Sequence, residues 1–190
     1  MYPMADLSTD RLVLRRWRSS DRIPFTRLNA DIRVMEYFPN LLTPADSRIM
    51  IERIGAHFLQ YGYGLWAAEL RETSAFVGFI GLNVPAFDAP FTPHTNPWVE
   101  IGWRLAFDYW GRGLAPEGAR AVLHHAFKTL NFEEIVAFTV PANQRSRRVM
   151  EKLGMTHNPA DDFDHPRLDE GHPLRRQVLY RIRAQNSGGA

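Results

Sequence analysis

The chain has 190 residues, 45% of them hydrophobic, which suits one domain with an ordinary buried core. It contains no cysteine, so disulfides, thiolate nucleophiles and cysteine metal sites are excluded, and 23 basic against 21 acidic residues leave a net charge of +2, too small to imply a nucleic-acid partner. No apolar run approaches the ~20 residues of a membrane span and MYPMADLSTDR lacks the apolar core of a signal peptide, so a soluble cytoplasmic protein without membrane contact is expected. Nearly all the basic residues are arginine, with lysine only at Lys128 and Lys152.

From the start, Leu12 to Trp17 predicts a first strand, and Asp21 and Asp31 predict the starts of two short helical pieces ending before Pro39. Thr43-Pro44-Ala45-Asp46 combines an N-cap, a proline at the first helical position and an acidic first turn, predicting a helix to about Gln60 that stops at Gly62. Leu65 to Leu70 and Phe76 to Val84 read as an antiparallel pair turning at Glu72-Thr73-Ser74. The segment Pro85 to Pro97 carries four prolines that exclude regular structure; it reads as a surface connection pinned by Phe87 and Phe91, or as a cover over a site.

Next comes the stretch around which the chain is organised, Trp98 to Leu130. Val99, Ile101, Trp103 and Leu105 alternate with Glu100, Gly102 and Arg104, the pattern of a half-buried strand. Gly111-Arg112-Gly113 follows. Pro116 and Glu117 then favour a helix start, and Ala115, Ala119, Val122, Leu123, Ala126, Phe127 and Leu130 share one helical face. A glycine turn that delivers backbone amides to a helix N-terminus is a natural phosphate site, because those amides are unpaired and the helix dipole is positive there. It would serve equally as a tight connection with glycines for geometry alone. A Walker A loop does not fit, since Leu114 and Ala115 follow Gly113, and a dinucleotide fingerprint runs into Pro116.

Ile135 to Val140 predicts another strand, Asn143 to Leu153 a helix closed by Gly154, and Met155 to His157 a short strand. Asp161 to His172 is rich in carboxylates and imidazoles, but its spacing matches no calcium loop or two-histidine motif; it reads as a solvated polar loop with no metal. Gln177 to Arg183 alternates as a last strand, and residues 185–190 read as a disordered tail.

The segments LSTDRLVLRRW, VEIGWRL, YWGRGLAPEGA and VPANQRSRRVMEKLGM, in this order and spacing, resemble the GNAT superfamily of acyl-CoA-dependent N-acetyltransferases, and within it the Rim-type ribosomal-protein N-acetyltransferases. The likeness runs over about residues 7–184. The family's pyrophosphate signature, Gln/Arg-x-x-Gly-x-Gly/Ala, falls on Trp110 to Ala115, with Trp110 departing from it at the first position, as is usual in the Rim-type branch.

The resemblance implies an α+β fold, a central, mostly antiparallel, twisted sheet of about seven strands splayed at the centre and flanked by helices. The chain would form one acetyltransferase domain over residues 1–190. Acetyl-CoA would be the cosubstrate, without a metal. Gly111, Arg112, Gly113, Leu114 and Ala115 would cradle its pyrophosphate, and Trp103, Arg104 and Leu105 would pair with the pantetheine arm as a strand would. Asn143 would bind the pantetheine, and the Ser146 hydroxyl would protonate the departing thiolate; helix capping is the competing role for both. Glu100, at a position where this branch carries a glutamate, would be the base that deprotonates the acceptor, unless it is only an exposed strand charge paired with Arg104; Asp164 and His165 are the reserve candidates. A backbone amide near Leu105 would stabilise the oxyanion. The expected reaction is direct acetyl transfer to a primary amine, of a protein N-terminus or a small molecule. A non-catalytic acyl-CoA-binding sensor or assembly module is the alternative, a nucleotide-binding domain using the same turn a third reading, and a homodimer is left open.

Overall fold

The computed structural model describes residues 6–87 and 98–184. They gather into two compact units, one of the described residues within Met1–Asn83 and Ile101–Val122, the other of those within Val84–Glu100 and Leu123–Ala190. The expected cover between Pro85 and Pro97 falls mostly, and the expected tail at 185–190 wholly, outside the described residues.

In the first unit β1 (Leu7–Ser8), β2 (Leu12–Arg15), β3 (Leu65–Leu70) and β4 (Phe76–Asn83) lie side by side, each antiparallel to the next, and β5 (Glu100–Leu105) follows β4. The predicted turn between β3 and β4 is tight enough to push Ser74 to φ 56°. Opposite the register shift at Ala68/Glu69, Gly78 has φ 139°, and a Cβ there would stand 2.1 Å from the Arg104 carbonyl oxygen; only glycine lets β4 approach β5 so closely.

Three helices in this unit, α1 (Arg22–Asn29), α2 (Ile32–Met35) and α3 (Pro44–Tyr61), follow the predicted signals. Asp31 caps α2 by accepting from the Arg33 amide at 3.0 Å, and Thr43 and Asp46 form the reciprocal box that starts α3, which ends on Gly62 at φ 77°. Asp21 does not cap α1 as its position suggests. Its buried carboxylate instead accepts both terminal nitrogens of Arg15 at 2.8 Å, while Arg15 Nε donates to Glu69 at 2.7 Å. Ionic hydrogen bonds to a buried guanidinium outweigh an amide cap. Phe25, Leu28, Val34 and Phe79 make the core between these helices and the sheet, with Trp17 edge-on to Phe25 at 4.8 Å.

The helix α4 (Leu114–Lys128) begins two residues before Pro116. Proline is tolerated in the first turn because the amide it lacks has no partner inside the helix. Gly118 presses onto the sheet so closely that a Cβ would lie 2.5 Å from Ile80 Cδ1 and 3.3 Å from Leu12 Cδ1.

The second unit holds β6 (Glu134–Thr139), α5 (Gln144–Lys152), β7 (Thr156–His157), β8 (Phe163–Asp164) and β9 (Arg176–Arg183). Glu100, at the start of β5, pairs in parallel with Val136; β9 is antiparallel to β6, β7 and β8. Nine strands among the described residues thus exceed the seven expected, the excess being β1 and β8, two-residue strands too short for a periodic signal, whereas β7 falls in the short strand predicted at Met155 to His157. Trp98, Val136, Phe163 and Leu179 form this unit's core, with Phe87 and Phe138 against it.

The Asp161–His172 segment is more structured than a solvated loop. Phe163 is buried, Asp161 accepts from Arg181 Nε at 2.8 Å, Asp162 meets both the His157 ring at 2.8 Å and the Leu179 amide at 3.2 Å, and Asp164 faces Arg175 and Arg176. Its carboxylates serve the arginines of β9 and its approaches. Among the described residues no helix is long and apolar enough to cross a membrane.

Candidate active site

The glycine turn is held from both sides by contacts within the first unit. After β5 the chain makes one 3-10 turn, Phe107–Tyr109, and the Trp110 indole N–H donates back to the Leu105 carbonyl at 2.8 Å. Trp110 thereby clips the turn to the strand end. Gly111 and Gly113 have φ 72° and 76°, in the left-handed region that L side chains resist. A Cβ at Gly111 would meet no atom within 4 Å, and one at Gly113 only Arg11 Nη2 at 3.6 Å. Handedness, not crowding, requires these glycines, and the space above them is open.

Backbone amides of Arg112, Gly113, Leu114 and Ala115 have no acceptor among the described residues; the first bond of the helix is from Glu117 to the Gly113 carbonyl at 3.2 Å. Four free donors at a helix N-terminus, beside open space, fit the pyrophosphate of an acyl-CoA. The Arg112 side chain is exposed, with its guanidinium 5.4 Å from the Tyr109 ring centre.

A second clip comes from the N-terminal segment. Arg11 Nη1 donates to the Arg112 carbonyl at 2.9 Å, and its Nε donates to Glu117 Oε2 at 2.7 Å. Glu117 Oε1 also accepts the Thr9 hydroxyl at 2.6 Å and the Arg11 amide at 2.9 Å. Partial desolvation alone would raise the Glu117 carboxyl's pKa, but these donors and the Arg11 charge prevail and hold it below its ordinary value. The predicted motif included Glu117 only as a helix-start signal; no local pattern links it to Thr9 and Arg11.

At the end of β5, Leu105 is buried and Trp103 half-buried as the alternation predicts, but Arg104, assigned to the polar face, is buried too. Its Nη1 donates to Asn29 Oδ1 at 2.7 Å, and burial lowers its pKa to about 10. The residues that cover it, on α1 and after α2, lie far away in sequence.

In the second unit Asn143 is the N-cap of α5. Its Oδ1 accepts from the Ser146 amide at 3.2 Å, and its Nδ2 donates to Thr139 Oγ1 at 2.9 Å and Ser146 Oγ at 3.1 Å. The capping role is thus present, and Ser146 Oγ, which acts in it as an acceptor, keeps its own proton. Glu100 is half-buried at the start of β5.

The two reserve bases are less suited. Asp164 is half-exposed between Arg175 and Arg176, at 3.6 and 3.4 Å. The His165 ring accepts from the Arg167 amide at Nδ1, 3.2 Å, which places the neutral ring's proton on Nε2 and leaves no lone pair for an acceptor. Burial, with the Arg167 charge, lowers its pKa.

The acetyltransferase (GNAT) domain model matches residues 11–156. The chain belongs to the GNAT acetyltransferase family. The uncharacterized N-acetyltransferase YnaD of Bacillus subtilis is 30% identical over 150 residues, 78% of this chain and 81% of that one. An acetyltransferase of solved structure from Agrobacterium tumefaciens superposes with a TM-score of 0.75 at 27% identity, covering 97% of each chain. RimL, a ribosomal L7/L12 α-N-protein acetyltransferase solved with coenzyme A, superposes with a TM-score of 0.73 over 94% of this GNAT chain and 98% of its own; at 16% identity that likeness is one of fold. The expected GNAT architecture is thus present, and as a family member the protein is an acetyl-CoA-dependent N-acetyltransferase that moves an acetyl group to an amine.

Proposed function

We propose that this GNAT acetyltransferase carries acetyl directly from acetyl-CoA to a primary amine, either a protein N-terminus or a small molecule. The observation that carries the reading is the clipped turn at Gly111–Ala115, with its four unengaged amides at the start of α4. They would hold the pyrophosphate, while the backbone of Trp103, Arg104 and Leu105 would receive the pantetheine arm by strand addition.

An amine with a pKa near 8–10 is mostly protonated at neutral pH, and only the neutral form attacks a thioester. Glu100 takes that proton, directly or through one water. The Leu105 region supplies an amide to the oxyanion as the carbonyl becomes tetrahedral. On collapse the C–S bond breaks, and Ser146, fixed by Asn143, gives its proton to the thiolate and regains one from solvent. The second proton on the newly acylated nitrogen leaves through Glu100, which has by then released the first to solvent, so that the products are the amide and the free CoA thiol. Asn143 would also bond the pantetheine amide. The chain has no cysteine to form a thioester acyl-enzyme, which favours one ternary complex.

The test begins with calorimetric titration of acetyl-CoA, CoA, ATP and NAD, followed by initial rates on a primary-amine panel. Micromolar binding of the two CoA species alone is expected. Glu100→Gln should keep that affinity and lower kcat by about 10²–10⁴. Normal turnover in the variant would remove Glu100 from the role, and binding without acetylation of any amine would mark a cofactor-sensing module instead.

A further inference from the structure

Two arginines of the first unit are buried within the sheet, and they are satisfied in opposite ways. Arg15, 3% exposed, has its guanidinium filled by Asp21 on the terminal nitrogens and Glu69 on Nε. Arg104, 9% exposed, has no carboxylate within ion-pair distance among the described residues. Its one hydrogen bond is from Nη1 to the neutral Asn29 Oδ1. Nε is buried without an acceptor, and no bond to Nη2 exists among the described residues.

The unmet edge is well defined. Asn29 is fully buried and donates from Nδ2 to Ser47 Oγ at 3.1 Å, which fixes its amide so that Oδ1 faces Nη1. That contact turns the Nε/Nη2 side of the guanidinium outward from Asn29. Phe38 lies 4.0 Å from the guanidinium carbon and Phe79 5.4 Å, walling the flat cation with aromatic faces. Phe38 is itself 39% exposed, so the wall borders solvent. Nε–H and Nη2–H are the parallel pair of donors that a carboxylate accepts bidentately. Burying a cation without an anion is strongly unfavourable, and this chain shows at Arg15 how it satisfies a buried guanidinium when the role is structural.

We propose that Arg104 is an anchor for a carboxylate of the acceptor, so that the amines this enzyme acetylates are amino carboxylates. A single charge with an apolar wall suits a planar monoanion better than a phosphate dianion. The proposal rests on the acetyltransferase reading but not on Glu100 or Ser146. Arg104 contributes its backbone to the strand expected to receive pantetheine; the anchor is its side chain.

Paired acceptors test it: glycine with glycinamide, 4-aminobutanoate with 4-aminobutanamide, and a dipeptide with its C-terminal amide, read by release of the CoA thiol. Wild type should favour the acid of at least one pair by about 10² in kcat/KM, and Arg104→Met should erase the preference through KM, with Arg104→Lys in between. Acetyl-CoA affinity by calorimetry should stay within about threefold, since no phosphate contact is removed. Independently, benzoate should raise the wild-type melting temperature relative to chloride at equal ionic strength, and not that of Arg104→Met. Without ligand, Arg104→Met should melt no lower than wild type.

Indifference of wild type to the carboxylate, acetylation of none of these acids by a protein that binds acetyl-CoA, a preference that survives Arg104→Met, or loss of acetyl-CoA affinity in that variant would overturn the anchor. So would a destabilised Arg104→Met with no benzoate effect in wild type, which marks a structural arginine. If acetyl-CoA fails to bind wild type, the acetyltransferase reading falls, and the benzoate comparison still decides the anchor.

Discussion

Glu117→Ala offers a quantitative test of the clip at the glycine turn. The carboxylate accepts from the Thr9 hydroxyl at 2.6 Å, the Arg11 amide at 2.9 Å and Arg11 Nε at 2.7 Å, and lies 2.5 Å from Arg11 Nη2. Two neutral donors contribute about 1 kcal/mol each, reduced by the water that replaces the acceptor. The Arg11 ion pair adds only a few tenths, because the arginine side chain is 50% exposed and the pair is screened. The sum is about 2 kcal/mol, a fall of roughly 4–8 °C in melting temperature for a chain of this size.

Charge and shape separate with Glu117→Gln, which keeps a carbonyl acceptor. The folded-state pKa of Glu117 lies below its ordinary value of 4.5, so its stabilisation is fully present above that value and is lost as pH falls through the folded-state pKa. Melting curves from pH 7 down to about 3 should therefore show a shallower acid loss in the glutamine variant. Because Arg11 also holds the Arg112 carbonyl, releasing it should raise the Kd for acetyl-CoA by about 3–10-fold. An alanine variant within about 0.5 kcal/mol of wild type, with unchanged acid titration, would refute the clip.

Trp110→Phe keeps an aromatic ring but removes the indole donor to Leu105, and should cost about 1 kcal/mol in urea unfolding and weaken acetyl-CoA severalfold in calorimetry. Gly118→Ala places a methyl group 2.5 Å from Ile80 Cδ1; despite alanine's better helix propensity it should lose about 1–3 kcal/mol by thermal denaturation. Ser146→Ala should lower kcat about tenfold with little change in acetyl-CoA affinity in steady-state kinetics, and the loss should shrink with an acyl donor whose thiol has a lower pKa.

Elements governed by neighbours in sequence are legible in the sequence itself. Thr43 and Asp46 announce their box by spacing, Gly62 and Gly154 close helices in the left-handed conformation, and the strand, glycine turn and helix around Gly111 stand where alternation and composition put them. What was hidden depends on pairs remote in sequence. Alternation marks Arg104 as polar-facing but cannot say that Asn29 and Phe38 cover that face. Asp21 has a capping residue's chemistry until Arg15 and Glu69 draw it inward. The polar run from Asp161 reads as solvated because its arginine partners belong to β9 and the residues before it. Glu117 likewise belongs to two elements at once, a helix start by pattern and a latch on Thr9 and Arg11 by contact.

Lys128 is the last residue of α4, and Lys152 is the last of α5. Every other basic side chain is arginine or histidine, neither of which forms a stable amide with an acetyl donor, so an enzyme that lives beside a reactive thioester exposes two side-chain amines to stray acylation. Each sits where a positive charge complements a helix's negative end, and losing it would forgo roughly 0.3–1 kcal/mol. Stray acylation of side chains to stable amides would therefore be confined to two addresses, each a helix terminus, with the guanidinium network left untouched.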